Sequence, residues 1–160
     1  MRWIKLTAFA SFLFALLSII SSCNKNDLIK KTSLYSKTNI VMSGAQEVPL
    51  TSTSTATGLL NVSYSTSSKV LSYTFSWSGL TGVPKPGTGV FGLAPIGYPA
   101  SAPIQVISTT GMATTGSYSG TLAVDGVYVT EQDILNGLYY INIITTANPL
   151  GEIRAQVVFQ

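Results

Sequence analysis

The chain has 160 residues, of which 46% are hydrophobic and only 9% charged, with a formal net charge of +3, one cysteine and no histidine. Without imidazole there is no Ser-His-Asp or Cys-His catalytic arrangement, and a single thiol gives neither an intrachain disulfide nor an ordinary zinc or copper ligand set. From Thr38 onward three basic side chains (Lys69, Lys85, Arg154) stand against five acidic ones (Glu47, Asp125, Glu131, Asp133, Glu152), so the basicity lies in the N-terminal part and no nucleic-acid footprint is expected.

Residues 1–22 read as an export signal. Arg2 and Lys5 form a positive start, and Leu6 to Ile20 is apolar except for Thr7, Ser11 and Ser18, shorter than a membrane span of about 20 residues. The following Ile20-Ser21-Ser22-Cys23 resembles the lipobox of a bacterial lipoprotein. That resemblance implies cleavage before Cys23, lipid attachment at Cys23, and anchoring to the bacterial cell envelope at the outer membrane. The alternatives are an ordinary cleaved signal with Cys23 a bystander, or a retained anchor. Residues 24–37 are polar, lysine-rich and without period, so 23–37 read as a lipidated flexible tether and 38–160 as the folded domain.

Within that domain the dominant period is two. A first strand is predicted at 38–44. "GLLNVSYS" and "KVLSYTFSWSG" alternate apolar and polar residues around the turn at 66–69, which predicts a β-hairpin. The aromatic set Tyr73, Phe75 and Trp77 reads as core, with a carbohydrate platform as the alternative. Residues 79–103 carry repeated glycine and proline and form a long loop with a short strand around Val90 and Phe91. "APIQVIST" and "GSYSGTLAV" supply further strands, with Ile104 and Val106 opposite Gln105. Thr130 caps a short helix, Asp133 occupies the capping-box position and Gly137 stops it. "LYYINIIT" is apolar on both faces and predicts a central, covered strand. In "EIRAQVVF", Glu152, Arg154 and Gln156 face one side, and Ile153, Ala155, Val157 and Phe159 the other. The pattern predicts an all-β antiparallel sandwich, Ig-like or Greek-key, of about seven strands with one short helix.

Several stretches resemble the CHRD domain: "MSGAQEVP" at 42–49, the hairpin strands, "TEQDILNGLYYINI", and the closing "TANPLGEIRAQ". The resemblance implies an extracellular β-rich module without established catalysis. It also implies that Gly89, Phe91 and Ile144 stand where many microbial members carry histidine, so any metal site built on those histidines is absent here.

Four polar residues stand out as a candidate site: Glu47, Asn148, Glu152 and Arg154. One reading is a pocket in which Arg154 holds a carboxylate or phosphate. The other is structural, with Arg154 paired to Glu47 or Glu152 and tying the first strand to the final hairpin. No catalytic residue, metal or cofactor is predicted. The expected role is a non-catalytic binding, adhesion or structural module of the envelope, its partner an envelope protein or glycan. The alternatives are a small-molecule or glycan binder using the 79–103 loop, and a degenerate relative of metal-binding members.

Overall fold

A computed structural model describes residues 33–160. The predicted signal segment and Cys23 lie outside the described residues. The domain is all-β with one short helix. Its strands are β1 (Leu34–Ser43), β2 (Thr57–Ser65), β3 (Val70–Ser78), β4 (Gly89–Phe91), β5 (Pro103–Val106), β6 (Gly116–Ala123), β7 (Tyr140–Ile143) and β8 (Ile153–Gln156), with helix α1 (Glu131–Leu135) before β7. All pairings are antiparallel, in the order β5-β4-β7-β8-β1-β2-β3-β6.

The expected all-β antiparallel architecture with one short helix holds; the eight strands form one continuous sheet nearly closed as a barrel, a difference of detail from the expected sandwich. The two edge strands are joined by one side chain. Gln105 of β5 accepts a hydrogen bond from the Tyr73 hydroxyl (2.9 Å) and donates to the Thr121 carbonyl of β6 (2.9 Å). Edge strands left open invite aggregation, and near-closure leaves little edge exposed. The facing of β5 follows from this bridge. Gln105 turns inward, whereas Ile104 and Val106 are exposed.

Residues 34–37, read from the sequence as the end of the tether, are strand: Leu34 pairs with Ser65 and Lys37 with Val62. A bulge then falls between Lys37 and Ile40, where Asn39 takes a positive φ of 58° and donates its N–H to Asn61 Oδ1 (2.8 Å). A bulge shifts the facing of side chains by one residue.

The interior is filled by the alternating faces. Leu60, Val62 and Tyr64 of β2, Leu71, Tyr73, Phe75 and Trp77 of β3, and Ile141 and Ile143 of β7 join one core with Ile153, Ala155 and Val157. The β3 aromatics are therefore core, each burial contributing roughly 1.5–3 kcal/mol. Helix α1 begins as expected, with the Asp133 N–H donating to Thr130 Oγ1 (3.1 Å) and the Thr130 hydroxyl to Asp133 Oδ2 (2.6 Å). Gly137 follows with φ 71°, and β7 then runs between β4 and β8 with all four residues buried.

Candidate functional site

The outer face of β4, β7 and β8 is not solvated. It carries Gly89 and Phe91 of β4, Tyr140 and Asn142 of β7, and Arg154 and Gln156 of β8, in register Gly89↔Asn142, Phe91↔Tyr140, Asn142↔Arg154 and Tyr140↔Gln156. Loop residues cover it. A 3-10 turn, Gly44–Gln46, follows β1 and is fixed by the N–H groups of Glu47 and Ser52, both donating to the Gly44 carbonyl (3.1 and 2.9 Å). This turn carries Glu47 inward, where it is 2% exposed.

Both carboxyl oxygens of Glu47 lack a hydrogen-bond partner, as does the neighbouring Asn142 Oδ1. The Asn142 amide donates to the Leu150 carbonyl instead (3.3 Å). Burial pushes the Glu47 carboxyl up to about 8, against the opposing pull of the Arg154 charge and the Asn142 side chain. Gly151 makes room for this arrangement. It has φ 142°, and a Cβ there would collide with the Glu47 carboxyl and stand 2.6 Å from the Asn142 amide.

Arg154 is equally enclosed, at 2% exposure. Its guanidinium carbon lies 3.5 Å from the centroid of the Tyr140 ring, a cation–π contact. Tyr140 in turn stacks on Phe91 at 4.9 Å and 7°, and its hydroxyl accepts from the Ala100 N–H (3.0 Å). Arg154 Nη2 donates to Gln156 Oε1 (2.9 Å), and Gln156 Nε2 donates to the carbonyls of Ala94 (2.8 Å) and Gly137 (2.6 Å). Gln156 thereby ties the loop after β4 to the end of α1 and aims the guanidinium. Above Arg154 and Gln156 opens a cavity of about 250 Å³, walled by Ala45, Gln46 and Val48 on one side and Ile96 and Gly97 on the other.

Glu152 sits in a separate cluster. It is fully buried, and its carboxylate accepts from the Thr81 N–H (2.6 Å) and from the hydroxyls of Thr81 (3.0 Å), Thr145 (2.6 Å) and Ser54 (2.7 Å). Burial pushes its carboxyl up, but these hydrogen bonds together hold it below the ordinary value. Asn148 belongs here, donating to Thr81 Oγ1 (2.9 Å) and accepting weakly from the Ser52 hydroxyl (3.4 Å).

The four predicted site residues thus divide in two: Glu47 with Arg154, and Glu152 with Asn148. Arg154 forms no ion pair with either glutamate. Among the described residues the ion pair is Lys69 with Glu131, partly exposed and outside both clusters. Tyr140, Asn142 and Gln156 complete the Arg154 site, and Thr81, Thr145 and Ser54 the Glu152 site. For Gln156 the signal was present, since a period of two puts it on the face of Arg154. For the threonines and serine it was not, in a chain rich in hydroxyl side chains.

Gly89, Phe91 and Ile144, the positions where the family resemblance led histidine to be expected in relatives, also lie on this face. Phe91 stacks on Tyr140, Ile144 packs against the Phe91–Ala94–Tyr140 cluster, and a Cβ at Gly89 would collide with the Gln105 carbonyl. Among the described residues no group of three His, Cys, Asp or Glu side chains converges as a metal site.

A β-rich module with buried polar side chains gathered under loops is the class these features define. The chain belongs to the CHRD domain family, whose model matches residues 38–157. Membership suggests a non-enzymatic binding or structural module. No curated protein and no solved structure matches the chain.

Proposed function

We propose that this protein is a non-catalytic binding module of the bacterial cell envelope, lipid-anchored at Cys23, with the cavity above Arg154 as its binding site. The anchoring rests on the leader and on Cys23. The observation that carries the binding role is Arg154 itself. It is a buried cation at the floor of a cavity, with Nη2 engaged by Gln156 and, among the described residues, with Nε and Nη1 donating to no protein acceptor. A cation buried without an ion partner is costly, and such a feature is usually retained for what it binds. The walls come partly from the 79–103 loop, through Ile96 and Gly97, so the small-molecule or glycan reading and the pocket reading converge here.

A catalytic role has less support. Paired-carboxylate chemistry needs two convergent, available carboxyl groups. Glu152 is committed to four hydrogen bonds in its own cluster. A screen of envelope proteins and glycans against the detergent-solubilised full chain tests the reading. Ala45→Phe narrows the cavity from its exposed rim, and it is expected to abolish a partner that the wild type retains. A partner bound equally by both would place binding elsewhere. Substituting Cys23→Ser is expected to release the protein from the membrane fraction, and unchanged sedimentation with membranes would reject the lipid anchor.

A further inference from the structure

We propose that the cavity above Arg154 takes a carboxylate group at the end of its ligand, gripped by the free edge of the guanidinium while the rest of the ligand lies against the apolar rim. This rests on the binding-module reading above and narrows it to a ligand chemistry.

Three observations carry it. The first is the donor inventory. A guanidinium offers five N–H donors in a planar fork matched to a carboxylate. Arg154 spends one Nη2 N–H on Gln156, and among the described residues its second Nη2 N–H, Nε and Nη1 meet no protein acceptor, so one two-donor edge of the fork, built on Nη2, stays unused. The second is the rigidity of that edge. The guanidinium lies on the Tyr140 ring, Tyr140 is stacked on Phe91, and Gln156 is held by two backbone carbonyls. Little side-chain freedom remains to be lost on binding, which favours recognition by geometry over recognition by charge alone. The third is charge. Among the described residues no carboxylate forms an ion pair with Arg154, and Glu152, the acidic neighbour in sequence, is turned into its own hydroxyl cluster.

Glu47 decides between a carboxylate and a more highly charged anion. It is buried beside Arg154, and the titratable groups that face it are Arg154 and Tyr140. Burial holds its carboxyl at about 8, so near neutral pH it is mostly an uncharged neighbour. With Glu47 uncharged and buried behind the cavity wall, a single negative charge on the ligand balances the Arg154 guanidinium. A phosphate dianion would draw a second charge into the same small space. The cavity of about 250 Å³ suits one end of a ligand, and Ala45, Val48 and Ile96 give it an apolar rim.

A terminal carboxylate can come from a peptide C-terminus or from a uronic acid sugar, and paired probes separate the two sources. Galacturonate is titrated against galactose, and Ala-Ala against its C-terminal amide, following the Arg154 Nε–H resonance of the detergent-solubilised full chain. At least one acid is expected to shift that resonance and to bind tenfold or more better than its neutral counterpart, about the effect of one charge-assisted hydrogen-bonded contact. Which acid responds identifies the source. The exposed rim variant Ile96→Glu, which cannot disturb the core, is expected to weaken that binding about tenfold by like-charge repulsion, and Ile96→Lys to retain it. No shift with either acid overturns the proposal, as does equal binding of acid and neutral partner. In the second case the cavity still binds, so the binding-module reading stands while the carboxylate assignment falls. Ala45→Phe reports on that reading separately.

Discussion

Glu47 and Glu152 are the same side chain, both almost fully buried, and their surroundings set them in opposite states. Glu152 is met by a backbone N–H and three hydroxyls, and its carboxyl is held below the ordinary value. Glu47 is met by no donor in hydrogen-bonding geometry, and its carboxyl is pushed up to about 8. The difference teaches how a fold sorts buried charge. Where the chain supplies donors, a buried carboxylate acts as a clasp. Where it does not, the group gives up its charge and leaves a neighbouring cation uncompensated. The clasp joins the loops around Ser54 and Thr81 to the final hairpin. The other region faces a cavity.

The largest expected effect comes from breaking the clasp. Glu152→Ala strands four donors and is expected to destabilise the fold by about 3–5 kcal/mol, measured by urea denaturation. Next is Gly151→Ala. A side chain at φ 142° that also strikes the Glu47 carboxyl is expected to cost about 1–3 kcal/mol, read as a lowered Tm.

Glu47→Gln sharpens the comparison through pH. The Glu47 carboxyl has a higher value folded, about 8, than its ordinary 4.5. The folded state therefore holds a proton that the unfolded chain has released. Its contribution is present in full below about pH 4.5 and is lost as pH rises through about 8. Wild-type stability is expected to fall over that window. Glu47→Gln should flatten the profile and be the more stable form at about pH 9, by at least about 1 kcal/mol, since a tenfold difference in proton affinity corresponds to about 1.4 kcal/mol. A parallel pH profile for the two proteins would show that Glu47 is ionised in both states. The smallest effect belongs to Lys69→Ala. Its ion pair with Glu131 is partly exposed, and its loss is expected to cost under about 1 kcal/mol and to vanish in high salt.

How much of this was legible in the sequence depends on what each element uses. The β2–β3 hairpin, the Thr130 cap and the covered strand β7 were legible because each rests on local pattern or local hydrogen bonding. The start of β1 was hidden because the bulge at Asn39 interrupts its alternation, so Leu34 to Lys37 read as tether. Closure of the sheet was hidden because it depends on one glutamine, Gln105, in a strand whose apolar residues face outward. Glu47, Glu152 and Arg154 could be singled out as rare charges, but their pairing could not. Glu152 finds its donors up to 98 residues away, in Ser54, and nothing distinguishes Ser54 or Thr81 from the many other hydroxyls in the chain. Tyr140, the seat of the Arg154 guanidinium, was concealed inside an apolar run.

The account depends most on the two glutamates being in different charge states in the folded protein. A carbon-13 NMR titration of the glutamate side-chain carboxyls tests this directly. Glu47 is expected to titrate near 8 and Glu152 below the ordinary 4.5. A Glu47 carboxyl that titrates at or below 4.5 would contradict the account, because Arg154 would then have its counter-ion within the protein.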